Sequence, residues 1–128
     1  MILIDTSIWI EFFKGNPETA DINEFIDNND ICTNSIILAE LRPIILSKRQ
    51  YALDDLLLCL PTIPVHIVWD NLIQMQCVNI KNGINKVGIP DLMIVQNAIQ
   101  NNVIIWTLDK HFFLMNKLIP FKLYGVDV

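Results

Sequence analysis

Ile2-Leu3-Ile4, an apolar run two-thirds β-branched, is halted at once by Asp5-Thr6-Ser7, and a second apolar stretch follows from Ile8 to Phe13. The first run reads as a buried strand that passes directly into a helix N-terminus, with the acid and hydroxyls at the junction. The pattern recurs. Ile31–Thr33 is a short strand, and Asn34-Ser35 begins a helix that runs through Ser47. Val65–Val68, after Pro64, resembles a third strand and leads into a helix over Asp70–Asn82 closed by Gly83. Pro90 opens a helix to about Asn101, followed by a fourth strand at Val103–Thr107 and a fifth at Phe121–Tyr124. Two further helices fill the gaps: Glu18–Asn28, amphipathic through Ile22, Phe25 and Ile26, and Tyr51–Leu60, which ends before Pro61. Short apolar strands alternating with helices imply an α/β fold, its mainly parallel sheet of four to five strands covered on both faces.

The 128 residues suit one unit spanning 1–128, since no repeat, low-complexity tract or Gly/Ser linker divides them. At 52% hydrophobic the chain is no disordered segment, and it is apolar enough that some surface is expected to be covered by a partner. Cys32, Cys59 and Cys77 are odd in number, form no C-x-x-C pair and read as small core residues in a reducing cytosol. The N-terminus lacks a signal peptide's basic region, and no apolar run approaches the roughly 18 residues that span a bilayer. A cytoplasmic protein is expected.

Fourteen acids against nine basic residues give a net charge of −5, which excludes a simple basic clamp on nucleic acid. Four of the acids occupy special places. Asp5 closes the first strand, Asp109 lies just beyond the fourth, and Asp91 stands in the first turn of the helix before it. In open α/β sheets, ligands bind beyond the carboxyl ends of the strands. Glu40 sits inside a helix whose buried side is marked by Ile37, Leu41 and Ile44. Each Asp has an ordinary alternative as a helix cap or dipole partner. Glu40 is too far inside its helix to cap it. Four converging carboxylates stay ionised only around a cation, and oxygen ligands select Mg²⁺ or Mn²⁺. Setting the four aside leaves ten acids against nine bases, so the excess acidity is largely that cluster.

Asp5-Thr6-Ser7 after the first strand, Ala39-Glu40-Leu41, Gly88-Ile89-Pro90-Asp91 with Ile94 and Ala98, and Thr107-Leu108-Asp109 with Phe113 together resemble the PIN domain, and in order, spacing and length the VapC toxins of toxin–antitoxin pairs. The resemblance covers essentially the whole chain. It implies a three-layer sandwich and an endoribonuclease dependent on one or two Mg²⁺ or Mn²⁺ ions. Asp5, Glu40, Asp91 and Asp109 would be catalytic and metal-binding, with Thr6, Ser7 and Thr107 as hydroxyls that orient them. It further implies cleavage of tRNA or rRNA, inhibition by a small cognate antitoxin, and a homodimer. One departure stands out. Many relatives carry a polar or acidic residue just before the motif's final Phe, where this chain has Phe112.

Arg42, Lys86, Lys110 and His111 are the candidates for contact with RNA phosphates, although Arg42 is about 200° round the helix from Glu40. His66, within an apolar segment, reads as structural. Trp9, Phe12 and Phe13 exceed what one buried face needs and suggest a groove for an antitoxin segment. Leu56-Leu57-Leu58 beside Asp54 and Asp55 suggests a helix between the core and a partner. Three other functions compete. A haloacid dehalogenase-like phosphatase wants an acid two residues after Asp5, where Ser7 stands. A non-toxin RNA-processing PIN nuclease would share the same acids. A catalytically silent PIN-like module would have no use for clustered carboxylates.

Overall fold

The computed structural model describes residues 1–126; the last two residues of the unit inferred over 1–128 lie outside them. Four strands, β1 (Ile2–Ile4), β2 (Ile31–Cys32), β3 (Ile104–Trp106) and β4 (Lys122–Leu123), form one sheet in the order β2-β1-β3-β4. Every pairing is parallel, with Ile2 opposite both Ile31 and Ile104, and Ile104 opposite Lys122. Parallel strands need helical crossovers, and the chain supplies α1 (Thr6–Phe13), α2 (Asp21–Asp27), α3 (Ser35–Ser47), α4 (Tyr51–Leu58), α5 (Trp69–Lys81), α6 (Ile89–Asn101) and α7 (Lys110–Asn116). This is the α/β sandwich that the alternation implied. Leu3, Ile4, Ile31, Ile105 and Leu123 are buried in its middle layer.

The chain leaves β1 toward β2 on one side and later returns to β3 on the other. That reversal puts a crevice at the carboxyl ends of β1 and β3, where Asp5 and Asp109 follow. Helices α1, α3 and α7 start directly from the carboxyl ends of β1, β2 and β3. Asn34 caps α3 as its turn chemistry predicts, its side chain accepting from Ile37 N at 2.9 Å. Pro90 lies in the first turn of α6, where a missing N–H costs nothing.

The strand expected at Val65–Val68 does not form. Side-chain amides from α6 take the place of a neighbouring strand: Gln96 accepts from Val68 N at 3.1 Å and donates to Val68 O at 3.0 Å. Asn97 donates to Pro64 O at 2.8 Å and Gln100 to His66 O at 2.9 Å. Side chains thus take the N–H and carbonyl of Val68 and the carbonyls of His66 and Pro64, groups that a neighbouring strand would otherwise pair. His66 is exposed, not a buried structural histidine. Other boundaries shift: Glu18–Asn28 begins with a 3₁₀ turn at Pro17–Thr19, and Tyr51–Leu60 stops at Leu58. The buried side of α3 continues through Ile45, leaving Ile44 exposed. Cys59 and Cys77 are exposed; only Cys32 is a core residue, and burial pushes its thiol up to about 11.

Asn34 and Asn97 tie the two flanks of the crevice together. Both are buried, and Asn34 Nδ2 donates to Asn97 Oδ1 at 2.8 Å, joining α3 to α6. Asn97→Ala leaves the Asn34 amide nitrogen without its partner and the Pro64 carbonyl with only a long 3.4 Å bond from Asn101 Nδ2. An expected loss of about 1–3 kcal/mol in urea unfolding follows, and a change below a few tenths would refute this role.

Candidate active site

Asp5 follows β1 with only 7% of its surface exposed, and its carboxylate does not cap α1. Oδ2 instead accepts from Thr107 Oγ1 at 2.8 Å and Ser7 Oγ at 2.9 Å. The two hydroxyls are themselves fixed. Ser7 Oγ accepts from Leu108 N at 3.0 Å, and Thr107 Oγ1 from Asp109 N at 3.0 Å. The cap reading of Asp5 therefore fails, and a hydroxyl pair from α1 and the β3–α7 turn holds the carboxylate in one orientation. Thr6 takes no part: its Oγ1 is buried without a hydrogen-bond partner.

Asp109 is a cap as well as a site residue, since Oδ1 accepts from His111 N at 2.9 Å at the start of α7. Asp91 stands half-buried in the first turn of α6. Burial raises its pKa first, and the Asp109 and Asp5 carboxylates raise it further. Glu40 is exposed as a whole residue, yet partial burial of its carboxyl, then Asp5 and Asp91, raise its pKa too. The four acids thus face one another electrostatically from β1, α3, α6 and the β3–α7 turn. Among the described residues none of them forms an ion pair with a lysine or arginine. Oxygen donors crowded this way, unneutralised by the protein, suit a hard divalent cation.

The family model for the PIN domain matches residues 2–118. The chain belongs to the PIN family. No curated protein sequence matches it. Among solved structures, this PIN chain resembles one in VapBC2 from Rickettsia felis bound to a promoter DNA fragment, with 26% identity and a TM-score of 0.75, covering 99% of this chain and 100% of that one. It shares its fold with chains in the DNA-bound VapBC of Salmonella typhimurium (20% identity, TM-score 0.71, 95% and 94% covered) and in FitAcB from Neisseria gonorrhoeae (20%, 0.67, 98% and 100%). Membership in this family sets the dehalogenase reading aside.

Of the PIN chain's expected phosphate contacts, Arg42 is tied within the chain. Its guanidinium grips Asp54 on α4 through Nε–Oδ1 at 2.7 Å and Nη2–Oδ2 at 3.2 Å, and that arginine holds the Asp54 carboxyl below its ordinary range. The pair staples α3 to α4. Lys86 is exposed in the loop before α6 with φ +67°, and Lys110 is exposed in the first turn of α7; neither pairs with an acid among the described residues. His111 does reach the site, with Nδ1 3.1 Å from Asp109 Oδ1. Phe112, the departure from the motif, is fully buried under α7. The aromatics of α1 pack on one another: Trp9 is buried, stacked on Phe13 at 5.7 Å and edge-on to Phe12 at 5.9 Å, so most of the expected groove is core. The sequence reading missed Gln96 and Asn97, whose amides hold the 64–68 segment and Asn34 against α6 behind the crevice. Their one visible sign is the polar pair Gln96-Asn97 in the middle of an apolar helix.

These shifts fix a pH dependence. Asp91 and Glu40 have pKa values raised by folding, so the stability they contribute is complete below their unfolded values near 4 and is lost as pH rises through the folded ones. The metal-free chain is expected to lose Tm from about pH 4.5 upward. Mn²⁺ or Mg²⁺, which needs the ionised acids, should raise Tm more at pH 7.5 than at pH 5. A flat Tm over that range, with no metal effect, would contradict the cluster. Asp54 acts outside this window: its lowered pKa stabilises above about 4 and fails only in stronger acid.

Proposed function

We propose that this PIN chain is the toxin of a VapBC-type pair, an endoribonuclease dependent on Mg²⁺ or Mn²⁺ that hydrolyses phosphodiester bonds in tRNA or rRNA. The observation that carries this reading is the set of four crowded carboxylates at the sheet's switch point, none of them paired with a lysine or arginine among the described residues. Asp5, Glu40, Asp91 and Asp109 would hold the ions. A divalent ion there supplies Lewis acidity, making water a competent nucleophile at neutral pH and offsetting charge on the phosphate. Ser7 and Thr107 fix which Asp5 oxygen faces the crevice. Lys86 and Lys110 border the acids in sequence and are the basic side chains placed to steer an RNA backbone.

Two surfaces fit the partners. A 540 Å³ groove on α3, lined by Ser35, Leu38, Ala39, Arg42, Pro43 and Leu46, runs along the helix that carries Glu40. An antitoxin segment laid there would set apolar side chains on Leu38, Pro43 and Leu46, and the VapBC neighbours favour that occupant. On α5, Trp69, Ile73 and Ile80 form an exposed apolar stripe. Asp70 and Lys81 flank it on one side about three turns apart, so a second copy packed antiparallel sets each acid against the other copy's lysine. The stripe is assigned to a homodimer, which Ile73→Glu should split in light scattering.

The test is incubation of total tRNA and rRNA with the purified chain, with Mg²⁺ or Mn²⁺ and with EDTA. Discrete cleavage only with metal is expected; cleavage undiminished by EDTA defeats the metal-centre reading. Growth arrest on expression, relieved by a co-expressed small neighbouring protein, distinguishes a toxin from an RNA-processing PIN nuclease.

A further inference from the structure

Among the described residues, His111 is the one imidazole grouped with the acids. It stands half-buried on the first turn of α7, and one ligand atom each from Asp91, Asp109 and His111 lie within 4.8 Å of one another. Adjacent ligands of an octahedral ion with bonds of about 2.1 Å stand about 3 Å apart, and opposite ligands about 4.2 Å. The observed separation of 3.1 Å between His111 Nδ1 and Asp109 Oδ1 is that of adjacent ligands. The alternative for such a contact is a ring N–H donated to the carboxylate. Among the described hydrogen bonds Oδ1 takes the His111 backbone N–H at 2.9 Å, and none joins the ring to it.

Local structure explains why the imidazole is there. Phe112 is drawn into the core and Phe113 lies outward, and the backbone bond from His111 N to Asp109 fixes the first turn of α7 between them. The residue before Phe112 is thereby directed at the crevice. The polar position that Phe112 seemed to have removed from the motif is filled one residue earlier.

We infer that His111 is a metal ligand, completing with Asp91 and Asp109 a mixed nitrogen–oxygen site that takes a first-row transition dication in preference to Mg²⁺. This rests on the reading of the acids as a metal centre and sharpens which ion it holds. Mg²⁺ demands oxygen ligands, whereas first-row ions accept imidazole, with affinity rising from Mn²⁺ through Ni²⁺.

The probe is Mn²⁺ added to the full chain, read by pulsed electron paramagnetic resonance with natural-abundance and ¹⁵N-histidine protein, and by calorimetric titration. The chain has two histidines, so His66→Asn serves as the control. The expected result is a directly bound nitrogen whose coupling follows the isotope, persists in His66→Asn and disappears in His111→Ala. Mn²⁺ affinity should fall about tenfold or more in His111→Ala, while Mg²⁺ affinity changes little; an unchanged far-UV spectrum establishes that the variant is folded. Mn²⁺ bound by the wild type without nitrogen coupling, and equally well by His111→Ala, overturns the assignment and leaves the acid centre standing. No Mn²⁺ binding by the wild type overturns both. Should His111→Ala fail to fold, the isotope comparison on the wild type alone decides the question.

Discussion

Asp91→Asn is expected to remove RNA cleavage by about 10²–10⁴-fold, the several kcal/mol that metal-assisted charge stabilisation supplies, while leaving the metal-free protein at least as stable as the wild type. The two signs have one cause. Asp91 carries a charge that burial, Asp109 and Asp5 all disfavour, so an isosteric neutral amide relieves repulsion in the folded chain. Its place in the first turn of α6 gives a carboxylate only a modest dipole benefit, about 0.3–1 kcal/mol, to lose. Tm without metal should therefore hold or rise, and the rise in Tm on adding Mn²⁺ should shrink. Asp5→Asn should match it in activity but not in stability, because Oδ2 is the shared acceptor of Ser7 and Thr107. Cleavage by Asp91→Asn within about threefold of the wild type would remove Asp91 from the chemistry.

Phe112→Ala should produce the largest loss of stability, about 3–5 kcal/mol, from a domain whose whole margin is about 5–15 kcal/mol. The ring is fully buried beneath α7, a helix of seven residues too short to hold itself. Asp109 and His111 sit on the turn and first residues of that helix, so losing the anchor loosens one wall of the crevice as well. Urea unfolding checks the stability, and metal affinity below the transition checks the wall. Phe112→Leu keeps most of the volume and should lose under half as much.

Local chemistry made much of this fold legible. The stop at Asp5-Thr6-Ser7, the Asn34 cap and Pro90 each mark a boundary that the backbone observes, because each acts within a turn of itself. What sequence order hides is the identity of distant partners. Val65–Val68 has the composition of a strand, but Val68 and His66 bond the side chains of Gln96 and Gln100, about thirty residues away, in place of a neighbouring strand. Arg42 is a free cation in the sequence and a tethered one beside Asp54. At the candidate site, Asp5, Asp91 and Asp109 were legible from their places at strand and helix ends, and Glu40 from a carboxylate set mid-helix among apolar neighbours. The ligand role proposed for His111 was not, because whether residue 111 or 112 faces the crevice depends on how α7 is rolled against the core.

The register of β1 has a consequence for timing. Ile2 pairs with Ile104, and Asp5 N with the carbonyl of Trp106, so the centre of the sheet waits for a segment made a hundred residues later. Parallel pairing across so long a loop is slow to nucleate, and Thr107 and Asp109 arrive on the same late segment. Synthesis at about 5–20 residues per second therefore leaves the nascent chain for several seconds with Asp5 and Ser7 made and the second orienting hydroxyl, that of Thr107, still absent. A ribosome that has translated the first hundred residues carries no assembled site, and whatever activity the crevice has begins only after Thr107 and Asp109 have been added.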